Sequence, residues 1–176
     1  VETWYEPSAG GASDKRFQTF RNVSDNGRIK KVSQKYNQSY YSASRDNYSG
    51  INSQPLIRLA EMYYIAAECE PDAATAASYL NAVIVTRTGQ NSSTQTQNFD
   101  QTDSRQIYGQ VTGQTVRINE LMKEYVKEFY GEGQLFFFYK RHNFKTFSNC
   151  PAPQDDMTTH YQMPLPDDEY TFGNNN

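Results

Sequence analysis

The sequence predicts a mainly α fold: an αα-hairpin plus a third long helix, set among long loops with one small β-hairpin. Three observations point there. Residues 56–89 carry two helical apolar patterns parted by Pro71-Asp72, residues 116–129 carry a third, and Asn26-Gly27 sits between two short β-branched and aromatic runs. A chain of 176 residues is expected to form a single domain, burying roughly 70% of the surface its unfolded form exposes.

Residues 1–55 are rich in Gly, Ser, Asn and Tyr and have no helical period. Within them FQTFRNVSDNGRIKKVSQKY centres on Asn26-Gly27, the pair preferred in a type I′ turn because both positions need positive φ. A polar loop follows, NQSYYSASRDNYSGINSQP, studded with Tyr40, Tyr41 and Tyr48.

Pro55 then opens LIRLAEMYYIAAECE, where Leu56, Leu59, Ala60, Tyr63, Ala66 and Ala67 share one helical face. Pro71 breaks that helix. Asp72 is placed to cap the next, in which Ala76, Ala77, Leu80, Val83 and Ile84 repeat the stripe until Gly89 stops it. From Leu56 to Gly89 the hairpin spans 34 residues, with small alanines where the helices cross, so it is of tetratricopeptide-repeat type. One repeat cannot bury its own face. It must stack on the third helix or on a part of the protein outside this stretch.

Residues 90–114 form a long polar connection, expected to be mobile. The third helix then places Ile118, Leu121, Met122, Tyr125, Val126 and Phe129 at i, i+3, i+4, i+7, i+8 and i+11. Gly131 and Gly133 interrupt it, and QLFFFYKR follows as a short helix apolar all round. Such a segment is expected to be buried, with Leu135, Phe136, Phe137 and Tyr139 locking three helices together. Residues 115–147 thus read as helix, break, helix, and residues 148–176 as a proline-punctuated extended tail. Cys69 reads as a buried small hydrophobe and Cys150 as a loop thiol, with a disulfide between them left open.

The charge balance, 17 basic against 20 acidic residues with no polybasic block, argues against nucleic acid as a partner. The longest apolar run, LFFFY, falls far short of the ~20 residues of a membrane span. The start VETWYEPSAGG has neither an initiator Met nor the features of a signal peptide and reads as that of a mature or excised fragment.

No catalytic constellation is evident, so no enzyme is expected. His142 and His160 stand in separate segments away from any triad spacing, and Gly131-Glu132-Gly133 lacks the Lys and Ser/Thr of a phosphate loop. Glu124 and Glu128, at i and i+4, read as an ion-paired helix surface or as partners of a neighbouring Arg; two carboxylates facing across a cleft would instead be needed for glycoside hydrolysis. Asp155-Asp156 and Asp167-Asp168-Glu169 lack the alternation of a calcium loop and read as solvated turns, so no metal or other cofactor is expected. Binding fits better. Tyr is present 14 times, and flat rings beside Ser, Asn and Gly suit the apolar faces and rimming hydroxyls of sugars. The candidate ligand-binding residues are Trp4, Tyr5, Tyr40, Tyr41 and Tyr48.

An ordered set of segments resembles the carboxy-terminal portion of the SusD/RagB family of outer-membrane nutrient-binding lipoproteins. The set comprises Asp14-Lys15-Arg16, LIRLAEMYYIAAE after Pro55, YLNAVIVTRTG, Glu124, Glu128, Glu132-Gly133, Phe136-Phe137 and Lys140-Arg141, and finally Met163-Pro164-Leu165-Pro166 before Glu169. Three positions depart from the family pattern. Tyr125 stands where it usually has Arg, Gln134 replaces a common His, and Phe138 replaces the usual Asp, so any polar lattice built by those groups is altered. The resemblance implies a non-catalytic cell-surface protein that binds oligosaccharide or another nutrient and delivers it to a TonB-dependent outer-membrane transporter. It also implies a lipid anchor and further repeat helices in the family's amino-terminal half. The alternative is a structural protein-interaction module of helical-repeat type that docks the transporter without contacting sugar.

Overall fold

In the computed structural model, residues 2–5, 13–35, 56–89, 99–106, 108–148, 156–162 and 166 are described. Asn26 and Gly27 both take positive φ, 49° and 76°, which gives the twist-matched turn joining β1 (Phe20–Asp25) to β2 (Arg28–Ser33). The antiparallel register runs from Phe20 opposite Ser33 to Asp25 opposite Arg28. A lone two-stranded ribbon is only marginally stable, and this one is anchored at its base. There the Phe20 ring meets Tyr130 edge-on at 5.3 Å, and the Gln34 amide donates to the Thr19 carbonyl at 2.7 Å.

The αα-hairpin is α1 (Leu59–Cys69) and α2 (Ala73–Thr88). Asp72 caps α2 as expected, its Oδ2 accepting from the Thr75 amide at 2.8 Å, and Gly89 ends the helix in the left-handed region at φ 72°. The start of α1 differs from expectation. Arg58 is extended, so the helix begins at Leu59, and its buried stripe is Ala60, Tyr64 and Ala67. Leu56 lies ahead of the helix and Leu59 is 74% exposed; with Met62 and Ile65 it forms an outward-facing apolar strip. Cys69 ends α1 as an exposed free thiol and not as a core residue, while Cys150 lies outside the described residues.

Next comes α3 (Val116–Glu128), capped by Thr115. Leu121, Met122, Tyr125 and Phe129 enter the core as the spacing predicts, with Ile118 and Val126 half-buried. Its opposite flank is buried too, although it carries Asn119, Glu120, Glu124, Lys127 and Glu128. Of the connection before α3, expected to be mobile, residues 90–98 and 107 lie outside the described residues, and the others are pinned. Phe99 is fully buried, its carbonyl accepts from the Arg117 amide at 2.7 Å, and the Val116 amide donates to the Gln101 carbonyl at 3.0 Å. Thr102 bridges Thr115, and Asn119 Oδ1 accepts from the Val111 amide at 3.0 Å. Polar composition concealed these ties because each uses a backbone group or a paired side chain.

Gly131 and Gly133, at φ 76° and 89°, redirect the chain into α4 (Gln134–Arg141). Here the expected burial is corrected: Phe138 and Tyr139 are buried, whereas Phe136 is partly exposed and Phe137 is 63% exposed. An eight-residue helix packed on α3 buries one face only, so 138 and 139 point inward and 136 and 137 outward. Phe144 and Tyr161 close the core beyond α4, the Tyr161 hydroxyl donating to the Phe144 carbonyl at 2.6 Å. Among the described residues no helix is long and apolar enough to cross a membrane.

Candidate ligand-binding site

Two buried structures meet along α3: an ionic lattice and an aromatic cavity. The lattice begins at the turn Asp14-Lys15-Arg16, where Asp14 Oδ1 accepts from the Arg16 amide at 3.0 Å and from its Nε at 2.9 Å, and Oδ2 accepts from Nη2 at 2.7 Å. So oriented, Arg16 Nη1 donates to Glu124 at 2.7 Å, and the Tyr64 hydroxyl donates to the same carboxylate at 3.1 Å. Burial alone would raise the Glu124 carboxyl, but Arg16 and Lys127 overcome it and hold the group down at about 2. Glu128 accepts from Arg58 and Arg87, each at 2.9 Å, and Glu132 from Arg58 at 2.9 Å and from Lys35. Each of these carboxylates thus accepts from two or more neighbouring side chains, at least one of them cationic.

The same device recurs one helical turn earlier. Asp103-Ser104-Arg105 repeats the pairing, with Arg105 Nε on Asp103 Oδ1 and Nη2 on Oδ2, both at 2.8 Å, and Arg105 Nη1 donates to Glu120 at 2.8 Å. Glu120 and Glu124 are therefore each held by an Asp-x-Arg turn. Arg117 ties α3 to the end of α1 by donating to the Ala67 carbonyl at 3.1 Å and to the Glu70 carbonyl, while Asp100 accepts from its Nε at 2.6 Å.

The cavity lies at the elbow between α3 and α4 and encloses about 470 Å³, within the ~300–1,000 Å³ usual for small-molecule sites. Trp4 and Tyr5, on a short 3-10 turn at Glu2–Tyr5, form one wall, Phe129 and Tyr130 a second, and Tyr139 and Phe147 a third. Phe20 and Tyr108 add to the aromatic lining, and among the described residues Lys127 is the one charged residue on it. Trp4 is held by Tyr108, edge-on at 5.0 Å, and by Gly109. At Gly109, φ is 80°, and an added Cβ would stand 2.1 Å from the indole, so glycine is required twice over.

Of the candidate residues read from the sequence, Trp4 and Tyr5 come together on this wall, both largely buried; Tyr40, Tyr41 and Tyr48 lie outside the described residues. Sequence reasoning missed Lys127 and the rings that chain folding gathers from positions 20, 108, 130, 139 and 147. The one available signal was the Gly131-x-Gly133 break, since two left-handed glycines open a gap between successive aromatic helix ends. Of the acidic turn candidates, Asp156 caps the 3-10 turn Met157–His160 through the Thr158 amide at 2.9 Å, and Asp155 and Asp167-Asp168-Glu169 lie outside the described residues. No group of three or more His, Cys, Asp or Glu able to hold a metal ion occurs among the described residues.

A helical scaffold with an aromatic cavity and fully paired carboxylates has the make-up of a binding protein. The family model described as the SusD family matches residues 10–173, and the chain belongs to that family. Membership implies a nutrient- or glycan-binding, non-catalytic role. Comparison with curated proteins and with solved structures gives no match.

Proposed function

We propose that this chain is part of a cell-surface protein of the outer membrane that captures oligosaccharide or another nutrient and passes it to a TonB-dependent transporter, without chemical turnover. In this reading a lipid anchor supplies the membrane attachment. The observation that carries it is the eight-ring cavity at the α3–α4 elbow. Flat rings stack on the C–H faces of sugars, while the Tyr hydroxyls and Ser148 on the same lining suit the sugar hydroxyls. Calorimetry against panels of oligosaccharides and peptides tests this. Saturable binding weakened by Tyr130→Ala supports it, and the absence of binding to every sugar and peptide overturns it.

A second reading, a module that docks the transporter without touching sugar, is favoured by one observation. Leu59, Met62 and Ile65 present an exposed apolar strip along α1. Capture of the transporter that Met62→Lys abolishes and Tyr130→Ala leaves intact, in a protein that binds no glycan, is the result that selects it.

A further inference from the structure

The charge on the cavity wall narrows the ligand, provided the nutrient-binding reading above holds. Lys127 is buried, with 3% of its side chain exposed, yet its Nζ stands 3.6 Å from Glu124 Oε1 and 3.7 Å from Asp14 Oδ2. Both separations exceed the 2.7–3.2 Å of a hydrogen bond, so the ammonium makes none among the described residues. The Tyr5 ring lies beneath it at 5.5 Å, which offers only partial compensation. Burial accordingly lowers the Lys127 pKa, with Glu124 opposing.

Lys127 helps to hold Glu124 down through charge, but neither carboxylate neighbour takes a hydrogen bond from it. Asp14 is chelated by Arg16, and Glu124 by Arg16 and Tyr64. The carboxylates of Asp14, Glu124, Glu128 and Glu132 already hold Arg16, Arg58, Arg87 and Lys35, which makes Lys127, among the described residues of this lattice, a fifth cation against four anions. A lysine that lines an aromatic cavity and makes no hydrogen bond to the described residues suits an anion with an apolar face.

We propose that the cavity takes an acidic sugar, a hexuronate unit whose ring stacks on the aromatic walls and whose carboxylate accepts hydrogen bonds from Lys127. Hydroxyl-bearing walls separate this ligand from a fatty acid. Tyr5, Tyr130, Tyr139 and Ser148 bring hydroxyl-bearing side chains to the lining, which suit a sugar and for which an alkyl chain offers no partner.

The test is calorimetry of the intact protein with a glucuronate-containing oligosaccharide and with the same oligosaccharide after its carboxyls are reduced to alcohols. The expected result is about tenfold or greater weakening on reduction, the weight of one charge-assisted hydrogen bond. In Lys127→Met the preference for the acid disappears. Tyr130→Ala, at a half-exposed ring whose loss leaves the core intact, is a second handle and weakens binding of the acid several-fold. Equal affinity for acid and reduced forms, or preference for an alkyl carboxylate, overturns the inference and leaves nutrient binding intact. Failure to bind any glycan or peptide overturns both.

Discussion

The rings of Tyr125 and Phe138 lie with centroids 4.7 Å apart and planes at 35°, joining α3 to α4 inside the core. These are two of the three positions that the sequence reading marks as departures from the SusD pattern, an Arg and an Asp being expected there. The two departures touch. Tyr64 at 5.5 Å and Phe129 at 5.0 Å from Tyr125 extend the contact into an aromatic cluster, which avoids the several kcal/mol of desolvation that each buried ion costs. Further along α4, Arg141 pairs with Glu68 through two bonds of 2.6 and 2.7 Å.

A double-mutant cycle on this pair separates a coupled exchange from two independent ones. Phe138→Asp alone buries an unpaired charge and should cost about 3–5 kcal/mol in denaturant melts. Adding Tyr125→Arg should recover at least about 1 kcal/mol relative to the sum of the single variants. Strict additivity would show that the two positions change independently.

Neighbouring rings of α4 should behave oppositely on truncation. Phe138→Ala opens a cavity in a fully buried site and should lose about 3–5 kcal/mol, whereas Phe137→Ala, on the exposed face, should lose less than about 1 kcal/mol. Thermal and urea unfolding of the two variants gives the comparison. Similar losses would mean that Phe137 is covered.

Gly109→Ala should expel Trp4 from the cavity wall, because the added carbon overlaps the indole at a positive-φ site. The expected readout is a red shift of the fluorescence of the single Trp, together with weaker ligand binding. Gly113→Ala shares the φ penalty at 83° but meets no neighbour, so it isolates the backbone cost and should leave the emission unchanged.

Elements whose signals are local were legible in the sequence. Asn26-Gly27, Asp72, Gly89 and the 116–129 stripe each act through neighbouring backbone, and each does what its spacing predicts. The apolar run at 135–139 misled because hydrophobicity alone does not say how many faces a helix will bury. The lattice was visible only as separated motifs. Asp14-x-Arg16, Arg58, Arg87, Glu124, Glu128 and Glu132 lie up to 118 residues apart and converge only when α1, α2 and α3 pack. Most of the candidate site was similarly hidden, since Lys127 has the appearance of a solvated helix lysine until Asp14 and Tyr5 fold over it.

Acid should dismantle the lattice at Glu124. Its carboxyl, held at about 2 against an ordinary 4.5, contributes stability that is complete above pH 4.5 and is lost as pH falls from there toward 2. The full contribution is about 3 kcal/mol. Glu68 is also held at about 2, and Asp103 is lowered against its burial by Arg105 and Asn119, so the wild-type acid limb is a sum. The diagnostic is therefore a difference. Glu124→Gln should be less stable than wild type at pH 7, because Arg16 loses its buried partner, and the gap should narrow by about 3 kcal/mol between pH 5 and pH 2. A gap that stays constant over that range would place the Glu124 carboxyl at its ordinary value and remove the lattice as the source of acid sensitivity.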